Sequence, residues 1–105
     1  MEITSELLKE KIKNGEKLMV DFWGSFCGPC KVMKPLYEKA SEIVKEGGLP
    51  ISLYTFNIED DMDYMRELGI RGVPTIKGFS GGEEVFSEVG LKQTNAILEM
   101  ADKLS

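Results

Sequence analysis

The chain has 105 residues, 42% of them apolar and 30% charged, with a net charge of −5, which suits one compact domain spanning residues 1–105 and excludes a disordered polyelectrolyte. Its 13 basic residues are scattered among 18 acidic ones, so no Lys/Arg stripe is available to neutralise phosphates and no nucleic-acid partner is expected. Histidine is absent, which removes every Ser-His, Cys-His and His-metal arrangement before any motif is considered.

The opening residues Met1-Glu2-Ile3-Thr4-Ser5-Glu6 lack the basic start and apolar run of a secretory signal, and no later stretch reaches membrane-spanning length; both point to a cytoplasmic address with no membrane partner. Leu7, Leu8 and Ile12 predict a short helix over 5–14, capped by Thr4 or Ser5 and stopped at Gly15. Leu18 to Trp23 is almost continuously apolar, as in a central strand covered on both faces, with Asp21 as the anomaly inside it. From Gly28 onward, Val32, Met33, Leu36, Tyr37, Ala40, Ile43 and Val44 recur at helical spacing until Gly47-Gly48. A strand follows over 51–58, then a short helix over 61–68 with an acidic start. Thr75 to Phe79 and Glu84 to Val89 form a hairpin around Ser80-Gly81-Gly82, and Ile97, Leu98, Ala101 and Leu104 line one face of a last helix over 94–104. Strands alternating with helices, closed by a hairpin, predict an α/β domain with a mixed sheet.

The only two cysteines, Cys27 and Cys30, enclose Gly28-Pro29 between the central strand and the long helix. A bridge between them closes too small a loop to act as a structural staple. Cys27 falls at the start of the helix, where unpaired N-H groups and the helix dipole favour an anion. An ordinary thiol is ~3% thiolate at pH 7, and lowering its pKa by about one unit raises that to roughly a quarter. Cys30 lies one turn later on the same side, placed to donate to that thiolate and then to attack a mixed disulfide. Pro29 suits the first helical turn, where its missing N-H had no partner, and Gly28 permits close approach of a substrate backbone. The alternative for this spacing is half a zinc site; an intrachain tetrahedral site needs two more Cys or His ligands that the chain lacks, which leaves only a metal shared between two chains. Asp21, buried in its strand, is expected to titrate above the usual carboxylate range. The alternative for Asp21 is a carboxylate that caps nearby backbone or pairs with a lysine.

Val20-Asp21-Phe22-Trp23, three residues, then Cys27-Gly28-Pro29-Cys30-Lys31 resembles the active-site segment of the thioredoxin family. The resemblance extends over residues 17 to 104 through Pro35 inside the long helix, Gly72-Val73-Pro74-Thr75, the hairpin turn at Phe79 to Gly82, and Gly90. It implies a central mixed sheet of four to five strands flanked by helices on both faces. It also implies a cis Pro74 beside the two sulfurs, a kinking role for Pro35, and a Val73 backbone that pairs with an extended substrate segment. Trp23, Phe26, Gly28, Pro29, Val73, Pro74 and Gly90 are then the substrate-receiving surface, and Asp21 sits behind Cys30 to take its proton.

The implied activity is protein-disulfide reduction by a monomer, with Cys27 as nucleophile and Cys30 as resolving thiol. The implied partners are disulfide-containing proteins and a flavin-dependent thioredoxin reductase that restores both thiols with NADPH; the chain itself binds no cofactor and no metal. Disulfide oxidation or isomerisation is the alternative chemistry on such a fold, and a non-catalytic binding subunit using the same apolar surface is the alternative class. Three positions depart from the family pattern: Phe26 stands where Trp is usual, Thr55 where a Lys near the buried Asp is common, and Lys77 where an apolar residue is usual. Lys77, on a strand expected to flank that of Asp21, is therefore a candidate for the missing cation. The short amino terminus leaves only residues 1–4 for an edge strand.

Overall fold

The computed structural model describes residues 1–105. In chain order it contains α1 (Ser5–Lys13), β1 (Leu18–Trp23), α2 (Gly28–Glu46), β2 (Ser52–Asn57), a 3-10 turn (Ile58–Asp60), α3 (Met62–Glu67), β3 (Thr75–Ser80), β4 (Glu83–Val89) and α4 (Thr94–Asp102). The four strands form one mixed sheet in the order β2-β1-β3-β4, with β1 parallel to β2 and the other neighbours antiparallel. The fold class is α/β.

Side chains alternate along a strand, so β1 supplies both cores of the molecule. Leu18, Val20 and Phe22 face α1 and α3 and pack with Leu8, Phe56, Tyr64, Met65 and Phe79. Met19 faces the other way, toward α2 and α4, and packs with Met33, Tyr37, Ile76, Ile97 and Met100. Covering on both sides is why β1 reads as a nearly unbroken apolar run. Asp21 shares the Met19 face, which aims its carboxylate under the start of α2.

Local signals set the element ends. The Thr4 hydroxyl accepts from Leu7 N at 3.2 Å and starts α1. After α2 the chain reverses through Gly48 at φ +70°, a conformation that suits a residue without Cβ. Pro35 lies inside α2, which is 19 residues long and continues past it to Glu46. The amino terminus makes no full strand, yet it is tied to the sheet: Ile3 N donates to Thr55 O and Thr55 N to Met1 O, both at 2.9 Å, and Glu2 forms a single parallel bridge to Thr55. No helix is long and apolar enough to cross a membrane.

Candidate active site

Cys27 is the N-cap of α2, and its Sγ accepts from the Cys30 backbone N-H at 3.1 Å. The two cysteines are joined as a disulfide with Cα atoms 5.3 Å apart, so the structure represents the oxidised state. Pro29 occupies the first turn, where no N-H is needed. Both sulfurs belong to residues that are about 95% buried, at 5% and 4% exposure, while Gly28 and Pro29 between them are exposed. A Cβ at Gly28 would meet nothing within 4 Å, so the surface at Gly28 is open to an incoming chain.

The loop entering α2 is braced from a distance. Ser25 N donates to Glu59 Oε1 at 2.8 Å, and Glu59 N donates in turn to Asn57 Oδ1 at 3.0 Å. The bonds from Ser25, its backbone N-H first, hold the Glu59 carboxyl below the usual range. Phe26 is 71% exposed, and its ring lies over Gly24 so closely that a Cβ there would come within 2.6 Å of it.

Asp21 is 2% exposed, and its Oδ1 accepts no hydrogen bond from any protein group. Burial, and after it the negative charge of Glu2, pushes the carboxyl up to about 7. Asp21, Trp23 and Cys30 line one cleft of about 720 Å³ that opens past Lys31, Lys34 and Glu38. Asp21 and Cys30 thus face the same cleft.

The Val73–Pro74 peptide, which leads into β3, is cis, and Gly90, at φ +105°, donates its N-H to Pro74 O at 2.8 Å. Thr75 Oγ1 closes the turn on Gly72 O. A second groove runs from Phe26 to Val73 over Ile58, Met62 and Ile70, with Arg66 and Arg71 at its rim. No three Cys, Asp or Glu side chains converge to hold a metal ion.

Two expectations need correction. Lys77 does not serve Asp21: in the β1–β3 register Lys77 pairs with Val20 and Asp21 with Ile76, so the two side chains emerge on opposite faces of the sheet. Lys77 Nζ instead donates to Glu84 Oε1 and, at 3.2 Å, to Ser87 Oγ on β4. Pro74 is not part of the exposed surface: it is under 2% exposed, while Val73 before it is half-buried. Sequence reasoning missed Glu2 and Glu59, whose partners lie 21 to 55 residues and 34 residues away along the chain. It also missed Ile58, Met62 and Ile70, which read as ordinary apolar positions of a strand end and a short helix.

The thioredoxin family model matches residues 1–103. The chain belongs to the thioredoxin family. The thioredoxin of Rickettsia felis is 35% identical over 99 residues, covering 94% of this chain and 91% of that protein. Among solved structures, Malassezia sympodialis thioredoxin superposes with a TM-score of 0.83 at 25% identity, covering 96% of this chain and 88% of that one. Plasmodium falciparum thioredoxin shares the fold with a TM-score of 0.86 over the whole of both chains, at 22% identity. With a Cys27–Cys30 disulfide at the head of α2, this member of the family is a protein-disulfide oxidoreductase.

Proposed function

We propose that residues 1–105 act as a single, monomeric thioredoxin domain that reduces disulfides in other proteins. The observation that carries this reading is the Cys27–Cys30 pair at the N-terminus of α2, with the almost fully buried Asp21 lining the same cleft as Cys30. In the reduced protein the Cys27 thiolate, favoured by the helix dipole and the Cys30 N-H, attacks one sulfur of the substrate disulfide. A mixed disulfide forms and the first substrate thiolate leaves and takes up a proton. The Cys30 thiol then passes its proton to Asp21, and its sulfur attacks Cys27. The second substrate sulfur leaves as a thiolate, which takes up a proton from water, and the intrachain disulfide remains, so two electrons have moved from the pair to the substrate. Asp21 returns its proton when the pair is reduced again.

A base poised near neutrality is well matched to that transfer, since it is half free to accept and still strong enough to draw a proton from a thiol. The groove from Phe26 to Val73 receives the substrate segment, whose backbone pairs with that of Val73 while its side chains cover Phe26 and Met62. A flavin-dependent thioredoxin reductase supplies the next electron pair from NADPH. The cytoplasm, whose redox poise keeps such pairs reduced, is the compartment this work requires.

The test is insulin-disulfide reduction coupled to NADPH consumption through a thioredoxin reductase. Wild-type protein is expected to turn over continuously and Cys27→Ser to be inactive. Equal rates for the two would refute the assignment.

A further inference from the structure

Glu2, Thr55 and Asp21 lie side by side across three segments of backbone: Glu2 bridges Thr55, and Thr55 is the in-register partner of Asp21. Laterally registered residues point to the same face, and two interstrand spacings put the outer backbones about 10 Å apart, within reach of a Glu side chain leaning inward. The Glu2 carboxylate is held there by three donors. Trp23 Nε1 donates to Oε1 at 3.1 Å, Thr55 Oγ1 donates to the same oxygen at 2.5 Å, and Asn57 N donates to Oε2 at 2.8 Å. The backbone bonds of Met1 and Ile3 to Thr55 fix the segment that carries it.

We propose that Glu2 is a positioning residue of the redox site, pinning the Trp23 indole and keeping a second carboxylate beside Asp21 so that Asp21 exchanges a proton with Cys30 at neutral pH. The inference rests on the reading of Asp21 as the proton acceptor and assigns the setting of its basicity to Glu2. A negative neighbour makes the proton on Asp21 harder to remove, which strengthens it as a base. Burial acts in the same direction and is the larger influence, and Glu2 adds to it.

The other charged or titratable groups on this cleft are the Met1 amino group and, from α2, Lys31, Lys34, Tyr37, Glu38 and Glu42. From β3 the neighbour of Asp21 is the uncharged Ile76, with Lys77 on the opposite face, and α4 brings the apolar Ile97 and Met100 to this side of the sheet. Glu2 differs from the α2 carboxylates in being fixed by hydrogen bonds from the strand that carries Asp21 and from its neighbour. Because Glu2 is solvent-exposed, water screens its charge and the effect is modest.

The experiment follows the Asp21 side-chain carboxyl by 13C NMR against pH in the oxidised protein, where neither cysteine titrates. Wild type is compared with Glu2→Gln and with Glu99→Gln, which makes the same change in net charge at an exposed position of α4. Glu2→Gln is expected to lower the Asp21 midpoint by about half a pH unit, and Glu99→Gln to leave it in place. The pH profile of mixed-disulfide resolution should move to lower pH in Glu2→Gln by the same amount. A Glu2→Gln midpoint equal to that of wild type, or a Glu99→Gln midpoint displaced equally, overturns the proposal. Its failure is separable from failure of the parent reading: Asp21→Asn turning over as fast as wild type would remove Asp21 as proton acceptor, whatever the Glu2→Gln titration shows.

Discussion

Asp21 and Lys77 sit on adjacent strands and point to opposite faces of the sheet. Their strand neighbours are Ile76 and Val20 respectively, and Lys77 spends its charge on Glu84 and Ser87 of β4. The buried carboxylate therefore has no lysine partner across the sheet, and it faces the Glu2 carboxylate from its own side. Lys77→Met should accordingly leave the Asp21 titration midpoint unchanged by 13C NMR. Stability should change by no more than about 1 kcal/mol, since an apolar side chain of similar length replaces an ion pair whose other member is half-exposed.

Asp21 makes stability depend on pH. Its folded-state value of about 7 lies above the ordinary 3.8, so the native protein binds the proton more tightly than the unfolded chain. Below about pH 4 both states are protonated and burial of the carboxyl carries no ionisation penalty. As pH rises from there to about 7 the unfolded chain ionises first, stability falls, and the full penalty is present above pH 7. Asp21→Asn should therefore be more stable than wild type at pH 8 by about 2 to 4 kcal/mol, with the gap closing toward pH 4. Urea denaturation of both proteins at pH 4, 6 and 8 checks this.

Glu59 reaches from the 3-10 turn to hold Ser25 N just before the active-site cysteines. Glu59→Ala should loosen the Gly24 to Phe26 loop, raise KM for protein disulfides a few-fold and leave kcat nearly unchanged. Glu59→Gln, which keeps an acceptor at the same reach, should recover most of the loss. Steady-state insulin reduction measures both parameters.

Phe26 presents an aromatic ring at the edge of the groove that leads to Val73. Phe26→Ala should raise KM for protein disulfides by about three- to tenfold, leave reduction of a small soluble disulfide at its wild-type rate, and alter stability by less than about 0.5 kcal/mol at so exposed a position. Parallel assays with a folded protein disulfide and with cystine distinguish the two effects.

Much of this architecture is legible in the residues because burial imposes period. The unbroken apolar run at Leu18 to Trp23 marks a strand covered on both sides, and the spacing of Met33, Tyr37, Ala40 and Val44 marks the buried face of α2. The CGPC segment between them places the chemistry. The facing of Lys77 is a different kind of information: it depends on how β1 and β3 register, and a shift of one residue would have put Lys77 on the face of Asp21. Glu2 and Glu59 leave no periodic trace, because each acts through single hydrogen bonds to residues remote in the chain. The burial of Pro74 likewise follows from how its loop docks, which the Val-Pro-Thr motif does not specify by itself.

The central claim is the division of labour between Cys27 and Cys30, and trapping tests it most directly. Cys30→Ser, exposed to a disulfide-containing protein and analysed by mass spectrometry without reductant, should accumulate one mixed disulfide on Cys27 that dithiothreitol releases, while Cys27→Ser should accumulate little. Absence of any adduct on Cys27, or equal trapping by Cys30 in the Cys27→Ser protein, would contradict it.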